Sequence, residues 1–315
     1  MKLISIPANP VPDNVVTGAI KTRDGVSLRF ARWAPPPGRK GTVVLLQGRA
    51  EFIEKYYETV RDLRARGFAV ATFDWRGQGL SDRALSDRRK GYVRNFAQYA
   101  IDLETFMEQV ALPDCPPPFF CIGHSMGAAI AIRACHDGSR WFERMVMSAP
   151  MIGLPAHQHL LGMAAPFARF MRLIGRGGAI VPNGNAMVAI NERFLGNQLT
   201  SDPVRFARNA AVLEASPDLG LGPPTIAWAD SALRLMKEFA VPAYAGRIRQ
   251  PILLIAAGRD EVISTPAIET FGSNLLAGRH LILPGAKHEI LQEQDLYRGQ
   301  FWAAFDAFVP GTPLY

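Results

Sequence analysis

Short apolar runs rich in Val, Ile and Phe alternate along this chain with longer stretches whose apolar positions recur at helical spacing. Strands buried on both faces read as continuous apolar runs, so this order predicts a mostly parallel sheet with helices on both sides. Val15 to Lys21 and Val26 to Trp33 flank Arg23-Asp24-Gly25 and read as an opening hairpin. Thr42 to Gln47, Ala69 to Asp74, Phe119 to Gly123, Met145 to Ser148, Ile252 to Ala257 and His280 to Leu283 read as central strands. Helical spacing covers Tyr56 to Arg66, Phe96 to Val110, Met126 to Cys135, Pro266 to Leu276 and Leu296 to Phe308, with Gly67 and Gly138 placed as C-caps.

The alternation breaks once. Residues 151–243 contain no convincing strand and read as helices over Leu160 to Ile174, Ala186 to Phe194, Pro203 to Ala215 and Ile226 to Phe239. The strand pattern resumes at Ile252. Strands on both sides of the break are needed to complete one sheet. The expected organisation is therefore a core built from 1–150 and 244–315, with 151–243 inserted as a helical cap.

Composition narrows the class. The chain has 315 residues, of which 48% are hydrophobic and 20% charged, enough apolar surface to bury a core and exclude disorder. Cys115, Cys121 and Cys135 show neither disulfide-framework nor zinc spacing and read as reduced, buried thiols. Met1 to Asn14 carries no apolar run of signal-peptide length, and no stretch reaches the roughly 18 apolar residues of a spanning helix. A soluble, cytoplasmic protein is expected. The net charge of +7 is spread along the chain apart from Arg83, Arg88, Arg89, Lys90 and Arg94. That group is interrupted by Asp87 and lacks interleaved aromatics for stacking bases, so it reads as a solvated loop, and no nucleic-acid partner is expected.

The sharpest chemical signal is Gly123-His124-Ser125-Met126-Gly127, set between an apolar strand pattern and a helix. A G-x-S-x-G strand-turn-helix is a nucleophile elbow, whose tight turn raises the serine above the sheet at a helix N-terminus. A serine hydroxyl needs a base, and the base needs a carboxylate to orient it. In this architecture they follow in the order Ser, acid, His. Only His280 and His288 follow the run at Ile252. His280 lies inside a strand pattern, whereas His288 lies in the loop after it, so His288 is the expected base. Asp260, just past the preceding strand, is the expected acid, with Glu261 as the alternative. The oxyanion donors are expected to be the backbone N–H groups of Met126 and of Arg49 in the loop after the Thr42 strand. His124 is expected to pack or hydrogen-bond beside the nucleophile with its side chain turned away from Ser125. His157 and His159, two apart, do not share a helix face, and no metal or cofactor site is expected.

At these residues the chain resembles the α/β-hydrolase superfamily, and within it the serine hydrolases related to monoacylglycerol lipase and lysophospholipase L2. The resemblance is carried by Gln47-Gly48-Arg49-Ala50-Glu51 with Lys55-Tyr56, by Asp74-Trp75-Arg76-Gly77-Gln78-Gly79-Leu80-Ser81-Asp82, by the Ser125 elbow, and by Gly258-Arg259-Asp260 with His288-Glu289. Gln47-Gly48 stands where relatives usually have His-Gly. The resemblance implies an α/β-hydrolase fold and a serine esterase acting on monoacyl lipids, with Asp74 to Asp82 as a supporting glycine turn. Hydrolysis of small soluble esters or amides, acyl transfer, and a non-catalytic ligand receptor on the same fold are the alternatives. No protein partner is inferred.

Met151 to Asn191 contains no acidic residue, and Leu160 to Ile174 is apolar apart from Arg169 and Arg172, with Arg176 just beyond. Two readings fit. The helix rests on an anionic membrane or admits an acyl chain while its arginines meet phosphate, or it packs on the core with its arginines reaching into water.

Overall fold

The computed structural model describes residues 2–35, 40–155, 165–182 and 194–309. Eight strands form one sheet: β1 (Val15–Lys21), β2 (Ser27–Trp33), β3 (Thr42–Leu46), β4 (Ala69–Phe73), β5 (Phe119–His124), β6 (Arg144–Ser148), β7 (Ile252–Ala257) and β8 (Gly278–Leu283). Their spatial order is β1-β2-β4-β3-β5-β6-β7-β8. The hairpin of β1 and β2 joins β4 antiparallel, and every pairing from β4 to β8 is parallel. β8 begins two residues before the apolar pattern does. Gly278 and Arg279 are recruited by pairing with Ile252 and Leu253, and the exposed Arg279, His280 and Leu281 of this edge strand leave little apolar signal.

Both faces of the sheet are covered. Val44 and Leu46 of β3 pack with α2 (Ala97–Phe106) and α3 (Ser125–His136), while their neighbours Val43 and Leu45 pack with α1 (Tyr57–Ala65) and the C-terminal helix. This is the strand's period of two at work: successive side chains feed opposite cores. Each fully buried Val, Leu or Ile contributes roughly 1.5–3 kcal/mol. Helix α2 continues past its expected end through a wider π turn, Met107–Ala111, to Asp114.

The fold positions the site at a topological switch. β4 lies on one side of β3 and β5 on the other, so the loops leaving β3 and β5 diverge at the carboxyl ends of the strands. Ligands of open α/β sheets bind in such a crevice. The loop after β3 carries Arg49, and the turn after β5 carries Ser125.

Between β6 and β7 the described residues form helices α4 (Ala165–Leu173), α5 (Pro203–Ala215) and α6 (Ile226–Phe239) and add no strand to the sheet. α5 and α6 occupy the spans expected from spacing. Their starts are fixed by side-chain caps: Asp202 accepts from the N–H groups of Val204 and Arg205, and Thr225 from that of Trp228. Most of Ala186 to Phe194, with His157 and His159, lies outside the described residues. After the insertion come α7 (Thr265–Ser273) and α8 (Asp295–Phe308).

Two expectations about basic residues are corrected. Arg172 on α4 does not face water or a distant phosphate: it pairs with Asp230 on α6 and donates to the Arg94 carbonyl. The exposed stripe of α4 is instead apolar, comprising Phe167, Phe170 and Leu173. Arg83 likewise leaves the solvated loop and donates to the carbonyls of Gly77, Gly79 and Asp218, pinning that loop to the insertion. In both cases a carboxylate or carbonyl on a neighbouring element outcompetes solvent for the guanidinium.

Candidate active site

The elbow begins with its glycines. A Cβ on Gly123 would lie 2.7 Å from the Ala128 Cα, and one on Gly127 would lie 2.4 Å from the Gln47 carbonyl oxygen. Real Cβ atoms do not tolerate such approaches, so strand β5, helix α3 and the loop after β3 can meet only where both positions lack a side chain. Between them Ser125 is held at φ 47°, in the left-handed region. That conformation costs a non-glycine residue on the order of 1–3 kcal/mol and persists because the packed elements on either side over-determine it.

Ser125, Asp260 and His288 come together from three separate loops. The His288 Nε2 lies 3.1 Å from the Ser125 Oγ, and its Nδ1 lies 2.7 Å from the Asp260 Oδ2. A carboxylate only accepts, so Nδ1 carries the proton and Nε2 is left to accept from the serine hydroxyl. The other Asp260 oxygen accepts from the N–H groups of Val262 and Ile263 at 2.8 and 2.9 Å, which fixes the carboxylate plane. The loops that carry acid and base are tied directly, Gly258 N–H to the Leu283 carbonyl and Arg259 N–H to that of Ala286. Glu261, the alternative acid, is exposed. Burial disfavours the His288 imidazolium, but the adjacent Asp260 carboxylate outweighs it and raises the pKa above the ordinary 6.5.

His124 packs and hydrogen-bonds beside Ser125. Its Nδ1 lies 3.2 Å from the Ser148 carbonyl, and its ring packs on that of His288 at 4.8 Å between centroids. Burial lowers its pKa to about 4, so the imidazole beside His288 is neutral. His136 stacks on Tyr244, and His280 is exposed on β8.

The loop after β3 is braced from below. Gln47 turns its fully buried side chain away into the sheet and donates to Thr72. The Ala50 N–H donates to Gln78, and Trp75 donates to the Gln47 carbonyl, so the Asp74 to Asp82 turn supports this loop. Asp74 itself is held by the buried Arg29 and accepts from Ile53 and Leu80. Met126 lies in the first turn of α3, where an N–H has no intrahelical acceptor, and the loop bearing Arg49 abuts that turn at Gln47.

Sequence reasoning missed a buried charged network beside His288. Lys55 Nζ lies 2.9 Å from Glu51 and 2.5 Å from Glu289, and Glu51 also accepts from Tyr56 and from the Gly48 N–H. Burial works against the Lys55 ammonium, yet its two carboxylate partners raise its pKa overall. The network therefore joins the loop after β3 to the residue following the base. A signal existed in the i, i+4 spacing of Glu51 and Lys55, but spacing cannot disclose a partner more than two hundred residues away. The insertion grips the same loop: Glu289 N–H donates to the Leu199 carbonyl, Lys287 to that of Asn197, and Thr200 to that of Gln292.

Arg49 also holds more than a backbone position. Its guanidinium donates to the Gly222 carbonyl and lies over the Trp228 ring at 5.2 Å, linking the loop to the insertion.

Comparison with known proteins finds relatives along most of the chain. The chain is 30% identical over 288 residues to lysophospholipase L2 of Escherichia coli K12, covering 87% of this chain and 82% of the relative. It is 26% identical over 281 residues to a monoacylglycerol lipase of Mycolicibacterium smegmatis, covering 86% and 89%. Among solved structures, a carboxyl esterase of Bacillus coagulans superposes with a TM-score of 0.76 at 18% identity, covering 95% of this chain and 99% of that one. A soluble variant of the Saccharomyces cerevisiae monoglyceride lipase superposes with a TM-score of 0.71 at 19% identity, covering 94% and 96%. These two likenesses speak to the fold alone. Residues 37–295 match the serine aminopeptidase S33 family, and with that span covering strands β3 to β8 and the segment between β6 and β7, the chain belongs to this family of α/β-hydrolases.

Proposed function

We propose that this protein is a serine carboxylic ester hydrolase that cleaves monoacyl lipids through an acyl-enzyme. The observation that carries the reading is the hydrogen-bonded series Ser125, His288, Asp260 at 3.1 and 2.7 Å. Ser125 Oγ attacks the ester carbonyl while His288 Nε2 takes its proton. The carbonyl oxygen gathers negative charge at the backbone N–H groups of Arg49 and Met126, and His288 returns the proton to the departing alcohol. Water then attacks the acyl-enzyme, gives its proton to His288, and releases the carboxylic acid as the serine hydroxyl re-forms. No cofactor or metal takes part in these steps.

The lipid part of the reading draws on the relatives, one a lysophospholipase and one a monoacylglycerol lipase. Palmitoyl monoacylglycerol or lysophosphatidylcholine is expected to be turned over with higher kcat/KM than p-nitrophenyl acetate. Should only the short ester react, the lipid assignment is to be abandoned.

On this reading residues 151–243 act as a cap over a core made of 1–150 and 244–315, and the cap meets the membrane. Among the described residues no helix is long and apolar enough to cross a bilayer, so the contact is peripheral. It is supported by the exposure of Phe167, Phe170, Leu173 and Ile174, at 52, 57, 80 and 54%, with Arg169 and Arg176 also exposed beside them. An apolar stripe flanked by cations suits an anionic lipid surface. Wild-type protein is expected to float with phosphatidylglycerol vesicles, and the double variant Phe170→Ser, Leu173→Ser to remain at the bottom of the gradient. Equal flotation of the two would remove the cap from membrane contact.

A further inference from the structure

We infer that the Arg49 side chain is the receptor for the phosphodiester of a lysophospholipid whose ester carbonyl lies at Ser125, and so determines preference for a phosphate-bearing leaving alcohol over glycerol. The inference rests on the ester-hydrolase reading above.

The starting observation is a charge without a counter-ion. The other buried arginines around the core are matched with acids: Arg29 with Glu54 and Asp74, Arg76 with Asp24 and Asp102, Arg205 with Glu58. Arg83, whose Nε is also without a partner, shares its charge among four carbonyls, those of Gly77, Gly79, Asp218 and Gly220. Arg49 has one carbonyl, that of Gly222, and its Nε is buried without a hydrogen-bond partner. Among the described residues no carboxylate forms an ion pair with it. Burial accordingly lowers its pKa to about 10, which still leaves it protonated at neutral pH. Buried charges are ordinarily paired, and one left unmatched on the loop that abuts the Ser125 elbow points to an anion supplied by the ligand.

Chemistry and reach select the anion. Trp228 lies over the guanidinium, the Gly222 carbonyl takes Nη2 and Nε is buried, which leaves Nη1 to donate to a phosphate oxygen in a charge-assisted hydrogen bond. Gly91 packs against the Gly222-bonded nitrogen, since a Cβ there would lie 2.5 Å from the Arg49 Nη2. The chain of atoms from the Arg49 backbone nitrogen to its guanidinium carbon contains as many covalent bonds as that from the ester carbonyl carbon of a 1-acyl lysophospholipid to its phosphorus. A substrate whose carbonyl oxygen meets the Arg49 N–H therefore has its phosphate within range of the same residue's side chain. A monoacylglycerol brings only hydroxyl groups to that point, and these leave the charge unmatched.

The test compares palmitoyl lysophosphatidylglycerol with monopalmitoylglycerol in the same neutral micelles. Wild type is expected to favour the lysophospholipid in kcat/KM. Arg49→Met keeps the backbone N–H and is expected to reduce that preference by about tenfold or more, mainly through KM, with Arg49→Lys recovering part of it. An unchanged preference, or losses equal on both lipids, overturns the assignment. A second measurement avoids any folding defect of the variant: glycerophosphoglycerol is expected to inhibit wild-type hydrolysis of p-nitrophenyl butyrate about tenfold more strongly than glycerol, and equal inhibition counts against Arg49. Failure of the underlying reading looks different, because wild type would then be inert toward p-nitrophenyl butyrate and would take no fluorophosphonate label, and the assignment would fall with it.

Discussion

Replacing Ser125 with Ala is expected to lower kcat for ester hydrolysis by on the order of 10⁶ and to abolish labelling by a fluorophosphonate probe. The size follows from covalent catalysis. Without Oγ no acyl-enzyme forms, and His288 has no hydroxyl to activate, so the remaining groups can only bind and polarise the ester. The variant should melt close to wild type, because alanine keeps the Cβ and with it the strained backbone at φ 47°. Retained activity in a preparation free of contaminating esterase would show that Ser125 is not the nucleophile.

Asp260→Asn is expected to cost on the order of 10³–10⁴ in kcat and to move the acid limb of the pH profile. In wild type the base must be neutral to accept the serine proton, so kcat/KM falls as pH drops through the His288 pKa. Asp260 holds that pKa above the ordinary 6.5, so the midpoint of the limb belongs above this value. Without the Asp260 carboxylate, burial, the largest influence on the imidazole, is opposed only by the more weakly acting Glu289 and Glu51, which carries the limb to lower pH. The asparagine also no longer compels the proton onto Nδ1, so fewer molecules present an accepting Nε2 to Ser125. A profile whose acid limb stays in place, with kcat near wild type, would mean that another group orients His288. Glu289, already neutralised by Lys55, would be the first place to look.

The hydrogen-bonded series Ser125, His288, Asp260 could be read in the sequence because the positions of its members are dictated by local rules. The elbow needs glycines on either side of Ser125, and parallel strands place their functional loops at the carboxyl ends, so Asp260 and His288 were found by locating β7 and β8. Local rules also gave α5 and α6, whose caps are a few residues from the helices they start. They failed for β8, whose first two residues become a strand only by pairing with β7, and for α2, which runs on through a π turn.

What the sequence by itself determined is the order of elements, the sheet they must build and the three residues brought to its edge, since periodicity and turn chemistry act over a few residues at a time. Only the tertiary structure decided which charges meet. It put Lys55 between Glu51 and Glu289, turned Arg172 inward to Asp230 so that Phe167 and Phe170 face outward, and left Arg49 under the insertion without an acid. Coulomb and hydrogen-bond energies depend on distance and burial rather than on position along the chain. A guanidinium that sequence marks only as basic therefore becomes a strut, a solvated charge or a receptor according to what the fold sets against it.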